Sequence, residues 1–513
     1  MISSEAPLRY LVIGAGQRGV SYARPLMHSK IAQLYAVAEP VNFRRKNFGE
    51  RYIWGRGNAP GQGQEFSSWT EWLTWEIERR ARAKNSEDVP PGVDGVFVCT
   101  LDDTHVEIMT AIAPLKLHVL CEKPLATSLE DCLKIYKSFQ TQQDEKIFSV
   151  GHVLRYSPHN LLLRKLLLED KVIGDILSIE HTEPVGWWHF AHSYVRGNWR
   201  RETKKGDGSL LTKSSHDVDF LLWLLSQSTS TDSQNKPYQP PHLITSVGSR
   251  NQFNKSRKPA AAGSATNCLS CPSERSCQYS AVQIYDDNRL EVGYTHWLNH
   301  VVHDIEDVLT TSGKAAARKK LHSALAEDYD PRTNTDEEIK SRPWYGRCVW
   351  ESDNTVCDDQ LVTITFPPVQ NASTQQPGKT AVLHMIANTE KECERRGIVY
   401  GAKGELSYGG EAIRYFDFNT RESTVVDAPE QPADEKSIKS HGGGDGGLAN
   451  AFVTAVYAVE REGCDVRSAQ QKFVGCTLDD AIRGHALVFA AEEARREEKV
   501  VKWSTWWNNA LGQ

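Results

Sequence analysis

No apolar run in the 513 residues approaches the roughly 18 that a membrane helix requires, so no transmembrane helix is expected. Neither charge dominates: 60 Lys and Arg face 66 Asp and Glu, for a net charge of −6. That balance argues against wholesale nucleic-acid binding, and short basic runs such as Arg79-Arg80 and Lys319-Lys320 read as solvated surface. No basic region precedes the first apolar stretch, MISSEAPLRYLVIGAG, which runs straight into a glycine turn. Both features argue against a signal peptide, and a cytoplasmic location is expected. The 11 cysteines are odd in number and scattered, which argues against a full disulfide framework. No internal repeat is present. What remains is an ordinary globular composition, 39% apolar and 25% charged with 14 Trp, long enough for two or three domains with large cores.

The first 150 residues alternate strand and helix signals. Apolar runs at Leu8–Ile13, Gln33–Ala38, Val93–Cys99 and His118–Cys121 read as strands. Helical spacing covers 19–28 and 105–115, and the Arg51–Pro91 stretch reads as a loop followed by a Trp-rich helix (Trp69, Trp72, Trp75). Alternation of this kind predicts a parallel sheet built from βαβ units. From about Val153 longer alternating strands appear, at 176–182, 361–366, 380–386 and 397–401, around an apolar helix at 217–225. This predicts an α+β domain with a largely antiparallel, open-faced sheet. The expected division is 1–152 and 153–513, with insertions near 226–345. Ser226–Pro241, Lys255–Gly263, Val369–Lys379 and Ala428–Ser440 read as loops, and helices at 447–461 and 477–499 close the chain.

Gly14-Ala15-Gly16-Gln17-Arg18-Gly19 fits G-x-G-x-x-G between a strand and a helix, the setting in which the motif binds a dinucleotide. The first glycine permits the turn, the second lets backbone approach a pyrophosphate, and the third lets helix pack on strand. The helix N-terminus then offers amide donors to phosphate. Glu39 ends the second strand, where a carboxylate accepts from ribose hydroxyls and repels a 2′-phosphate, favouring NAD. Arg44 and Arg45 follow closely and leave NADP open.

Glu122-Lys123-Pro124 follows the strand 118–121, and ligands of open α/β sheets bind beyond the carboxyl ends of strands. Lys123 either faces that cleft, where an ammonium steadies alkoxide charge, or lies exposed beside a turn. Thr212, His216 and Asp219 have i, i+4, i+7 spacing and are expected on one helical face. His216 is either a hydrogen-bonded core residue or a proton-transfer group.

Together these segments resemble the glucose–fructose oxidoreductase / inositol dehydrogenase (Gfo/Idh/MocA) family. The likeness is carried by Gly14–Gly19, Ala38-Glu39-Pro40, Cys121-Glu122-Lys123-Pro124-Leu125, Gly151–Tyr156, the His216 segment and Arg396–Leu406. It implies a Rossmann domain, an open-faced sheet domain through which members often dimerise, and hydride transfer between nicotinamide and a sugar, cyclic polyol or related small molecule. The family's motif lysine falls on Lys123 and its proton-transfer histidine on His216. Many members carry an aspartate four residues before the histidine; here Thr212 stands there, followed by Lys213, and since threonine supplies no carboxylate, Lys213 or Asp217 is left to compensate. The expected cofactor contacts are Gly14, Gly16, Gln17, Arg18, Gly19 and Glu39, with Thr100, His105, Glu122 and Arg155 on the nicotinamide side. Two other readings stay open: an NAD-dependent glycosidase working by transient oxidation and elimination, and a non-catalytic nucleotide-sensing regulator.

Trp187, His189, Arg196, Asn198 and Trp199, with Thr212 and Lys213, are the expected substrate residues, because aromatic faces stack on sugar C–H faces while polar groups bind hydroxyls. Ser440–Asp445 offers three glycines before a helix and a second place for close approach. Cys268-x-x-Cys271-x5-Cys277, with Cys348 as fourth ligand, is either a structural zinc site or a set of reduced thiols. His296, His300 and His303 lack the glutamate of H-E-x-x-H and read as ordinary helix residues, and no metal is expected at the catalytic centre.

Overall fold

The computed structural model describes residues 6–202, 208–226, 238–371, 374–410, 412–429 and 441–512. The expected loops at 226–241 and 428–440 fall largely outside these residues.

The N-terminal third forms six parallel strands in the order β3-β2-β1-β4-β5-β6. These are β1 (Leu8–Ile13), β2 (Ala32–Ala38), β3 (Glu65–Phe66), β4 (Gly95–Val98), β5 (His118–Cys121) and β6 (Phe148–Val150). The connecting helices are α1 (Gln17–Leu26), α2 (Asn42–Tyr52), α3 (Trp69–Lys84), α4 (His105–Ile112) and α5 (Leu129–Gln140). Strands β4 and β5 are buried along their whole length, as helices on both sheet faces require. Ser68 caps α3 by accepting from the Glu71 amide, which fixes where the Trp-rich helix starts.

Beyond α6 (Pro158–Arg164) the chain builds β7 (Ile176–Pro184), α7 (Trp187–Phe190), α8 (Ser209–Thr212), α9 (Ser215–Leu225) and β8 (Leu243–Ser249). Three helices follow in the insertion: α10 (Leu298–Val301), α11 (Ile305–Ala326) and α12 (Asp336–Lys340). The sheet resumes with β9 (Asp359–Phe366), a small hairpin of β10 (Val369–Asn371) and β11 (Thr374–Gln376), then β12 (Lys379–Ile386), β13 (Arg396–Gly401), β14 (Gly404–Gly409), β15 (Ala412–Asp417) and β16 (Ser423–Asp427). The chain closes with α13 (Gly444–Glu460), α14 (Val466–Ala469), α15 (Leu478–Arg496), β17 (Val501–Lys502) and α16 (Trp503–Leu511).

The second sheet has nine strands in the order β16-β15-β14-β13-β7-β12-β9-β8-β17. All its pairs are antiparallel except β7 with β12. One face buries Val362, Ile364, Ala381, Leu383, Val399 and Leu406. The 369–379 stretch, expected as a loop, carries the β10–β11 hairpin.

A division at residue 152 does not separate the cores. Phe452 of α13 reaches back to the first sheet, with ring centroids 6.0 Å from Tyr10 and 5.5 Å from Phe97. His485 of α15 accepts from the Leu125 amide at 2.8 Å. The closing helices therefore tie the Lys123 loop to the second sheet.

Candidate active site

The glycine turn has the shape that a dinucleotide needs. Gly14 adopts φ +92°, and a Cβ there would lie 2.6 Å from the Cys99 carbonyl oxygen. A Cβ on Gly19 would lie 2.2 Å from the Gly14 oxygen, so helix and strand pack too closely for a side chain. At Gly16 a Cβ would meet nothing within 4 Å, which leaves an open backbone face at the start of α1. No side chain caps that helix, and its first amides are free for an anion. These residues fit the pyrophosphate of a dinucleotide.

Glu39 is buried, and its two carboxylate oxygens accept from the Ala15 and Val41 amides at 2.8 Å each. Each oxygen keeps a further lone pair for a ribose hydroxyl. Arg44 donates to the carbonyls of Asn299 and His303, while Arg45 is held by Glu65 and the Glu39 carbonyl. Gln17 donates to the His296 carbonyl and meets His300 at 3.4 Å. The insertion segment around α10 thus lies against the turn. Only His300 of the three histidines falls within a helix, so their place beside the turn, rather than a helical face, is what the fold gives them.

Arg18 does not reach freely toward phosphate. It pairs with Glu122 at 2.8 Å and with Asp445 at 2.9 Å, and Tyr22 donates to Glu122. Burial alone would raise the Glu122 carboxyl, but Arg18 and Tyr22 hold it below its usual range. His441 bonds Asp445 at 3.1 Å, so the glycine-rich turn before α13 closes on Arg18. His105 is fully buried between the carbonyls of Pro124 and Thr100; it shapes the β4 and β5 loops from behind.

Lys123 donates to the Thr212 carbonyl at 2.7 Å. Burial, opposed by Glu122 and reinforced by Lys213, pulls its ammonium down to about 8. The expected helical face is broken: α8 ends at Thr212, and α9 begins at Ser215. Thr212 places its hydroxyl on the Gly208 carbonyl and presents its own carbonyl to Lys123. His216 is buried in the first turn of α9, its Nδ1 without a partner among the described residues. Burial and then the Lys123 cation push the imidazole well below its usual range, so it is neutral. Rings of His441 and His152 lie 5.5 Å and 6.3 Å away.

Two further groups are held in buried ion pairs. Arg155 makes a buried two-pronged pair with Asp219, at 2.7 Å on each arm, and donates to the Gly475 carbonyl. It braces the start of α9 from within the core. Asp217, a possible substitute for the missing carboxylate, is fully buried between Arg395 at 2.7 Å and His181 at 3.0 Å.

The expected substrate residues divide. Trp199 donates to Asp102 at 2.9 Å and lies 6.0 Å from the Tyr194 ring, bridging the Thr100 loop to the second domain. His189 packs 5.1 Å from Trp297, and Trp187 packs 5.8 Å from Tyr279. Lys213 lies against Cys393 at 2.8 Å and Glu183 at 3.2 Å. Arg196 is 1% exposed and donates to Arg347, Tyr279 and Cys268, which makes it a core brace. Asn198 is exposed at a turn.

Cys268, Cys271, Cys277 and Cys348 line one cavity of about 340 Å³ together with Arg196. Among the described residues they do not form a set with all donor atoms within 4.8 Å of one another. The Arg196 guanidinium donates to the Cys268 sulfur at 3.3 Å. The group that does meet that distance is His189, Glu392 and Cys393. Sequence reading passed over Asp102, Glu183, Glu392, Cys393 and Arg395. The last three lie just before the family-like segment starting at Arg396, which was the available signal.

The family model "Oxidoreductase family, NAD-binding Rossmann fold" matches residues 8–152, and its companion "Oxidoreductase family, C-terminal alpha/beta domain" matches 165–306. The 2,7-anhydro-N-acetylneuraminate hydratase of Escherichia coli is 34% identical over 139 residues, 27% of this chain and 35% of that protein. Inositol 2-dehydrogenase 2 of Saccharopolyspora erythraea is 32% identical over 146 residues, 28% of this chain and 39% of that protein. The match covers less than half of either relative. An inositol dehydrogenase homologue complexed with NAD+ from Azotobacter vinelandii superposes with a TM-score of 0.59 at 14% identity, over 98% of this chain and 100% of that one. A levoglucosan dehydrogenase complexed with NADH and levoglucosan gives 0.57 at 15% identity, over 97% and 99%. Both share the fold. With a matched Rossmann domain and a matched C-terminal domain, the chain belongs to the Gfo/Idh/MocA oxidoreductase family.

Proposed function

We propose that this protein is an NAD-dependent oxidoreductase that moves a hydride to or from a CH–OH carbon of a sugar, cyclic polyol or related small molecule. The observation that carries the reading is the bond from Lys123 to the Thr212 carbonyl. It brings the carboxyl end of β5 to the segment that bears His216. Gly14–Gly19 and Glu39 would hold the dinucleotide, which when bound supplies the hydride acceptor or donor. Arg44 and Arg45 are engaged elsewhere, which supports NAD over NADP.

The neutral imidazole of His216 accepts the hydroxyl proton of the substrate. Lys123 is protonated at neutral pH, and one of its three N–H groups is held by Thr212. The other two are left to hydrogen-bond the reacting oxygen and stabilise it as alkoxide charge develops. In the reverse direction the same groups return the proton. Trp199, Tyr194 and His189 enclose the substrate side. All eleven cysteines are unpaired, which supports a reducing, cytoplasmic setting. A homo-oligomer built on the open sheet face belongs to the same reading.

A second reading is favoured by the two 2,7-anhydro-N-acetylneuraminate hydratases among the relatives. In it the hydride is returned within one cycle and no net redox change results. The deciding experiment incubates the protein with NAD and a panel of inositols, aldoses and anhydro-sugars, following both NADH absorbance and product. NADH formed with a polyol supports the dehydrogenase. Product formed without NADH supports the redox-neutral cycle. Neither outcome on any substrate class, or turnover that is unchanged in Lys123→Met and His216→Ala, sinks the reading.

A further inference from the structure

The loop between β12 and β13 carries Glu392 and Cys393 to the end of α7, where His189 faces them. The His189 Nδ1 lies 3.3 Å from a Glu392 oxygen and 3.8 Å from the Cys393 sulfur. Zinc–ligand bond lengths at a tetrahedral angle place such atoms about 3.4 Å and about 3.6 Å apart. All three donor atoms lie within 4.8 Å of one another. We propose that His189, Glu392 and Cys393 bind one divalent transition-metal ion, zinc by ligand type, beside the Lys123–His216 pair.

The surroundings suit that ion. Cys393 holds φ +60°, an uncommon conformation outside glycine, and its amide donates to the Pro184 carbonyl. Lys213 sits 2.8 Å from the sulfur. A thiolate has lone pairs for a metal and for an N–H donor at once.

Three protein ligands leave a tetrahedral ion one open position, the arrangement of a reactive rather than a structural zinc site. Lys213 follows Thr212 directly, and Thr212 holds Lys123. On the other side His189 packs on Trp297, which packs 5.6 Å from His300 beside Gln17 of the glycine turn. The open position therefore belongs to the same pocket wall, where water or an oxygen of a polyol fills it. That last assignment rests on the proposed function; the metal site itself does not.

The test reads metal without turnover. Full-length protein, reduced and freed of metal by chelation, is titrated with Co2+ and then analysed for bound zinc after reloading. Expected is a saturable thiolate-to-Co2+ charge-transfer band, with one metal equivalent lost in each of His189→Ala, Glu392→Gln and Cys393→Ser. The Cys271→Ser/Cys277→Ser double variant, which breaks the other cysteine group, should keep that equivalent. Circular dichroism melts check folding, and Glu392→Gln, at a partly exposed position, serves if Cys393→Ser does not fold. Equal metal content in His189→Ala, Glu392→Gln and wild type, or no saturable band in the wild type, overturns the site. Loss of metal confined to the Cys271→Ser/Cys277→Ser variant overturns it too.

Discussion

The Lys123 ammonium lies 2.7 Å from the Thr212 carbonyl oxygen, so its partner from residue 212 is a neutral backbone group and not a carboxylate. A carbonyl orients the ammonium but does little to hold its proton. Burial therefore acts with Lys213 to bring Lys123 from its usual 10.5 to about 8.

If Lys123 works as an ammonium, kcat/KM for polyol oxidation should fall as pH rises through about 8. Thr212→Asp adds a negative charge beside it, favours the charged form and should move this alkaline limb upward. Stability runs the other way. Between about 8 and 10.5 the unfolded chain holds a proton that the folded chain has released, so Lys123 makes stability rise with pH across that window. Paired pH–rate profiles and denaturant titrations check both. An alkaline limb that stays in place in Thr212→Asp would remove Lys123 from the chemistry.

Arg155 and Asp219 should behave as a structural couple. Arg155→Met leaves a buried carboxylate beside His152, whose ring is itself held down at about 3 by burial. Breaking such a pair costs about 3–5 kcal/mol, whereas replacing both partners by apolar groups restores much of it. The Arg155→Met/Asp219→Leu variant should therefore melt well above Arg155→Met and bind NAD as the wild type does. Calorimetry and a fluorescence titration with NADH measure the two effects. A double variant that folds but binds NADH tenfold more weakly would return Arg155 to the cofactor site.

Local signals made the Rossmann half legible. An apolar run, three glycines at fixed offsets and an acid at the next strand end each have a short-range cause, and all appear where expected. Lys123 and His216 were legible as positions, but their environments were not. The break between α8 and α9 places the Thr212 carbonyl, not a helical face, beside Lys123. Nothing in the spacing of residues 212–219 encodes that break. Arg155 illustrates a general difficulty: a buried guanidinium and a ligand-binding one look alike until the partner, here 64 residues away, is in view. The His189, Glu392 and Cys393 group was invisible for the same reason, since its members lie 203 or more residues apart except for one adjacent pair.

The open face of the second sheet leads to the last prediction. Val247 of β8 and Leu361 of β9 are directly paired across the strands, and they are 66% and 38% exposed. Neighbouring positions on that face, Thr363 and Val382, are also paired and only partly covered. The opposite face is packed under α9 and α15. A broad, flat and partly apolar face of this kind marks a surface that another protein surface covers. A second copy of this chain is the economical occupant, because two such faces are self-complementary about a twofold axis. Sedimentation velocity should therefore give a dimer or larger species for the wild type. Val247→Glu/Leu361→Lys should shift it toward monomer at equal concentration while leaving NADH binding intact, since neither residue lies near the glycine turn. A wild type that sediments as a monomer across the micromolar range would leave this face to a different partner.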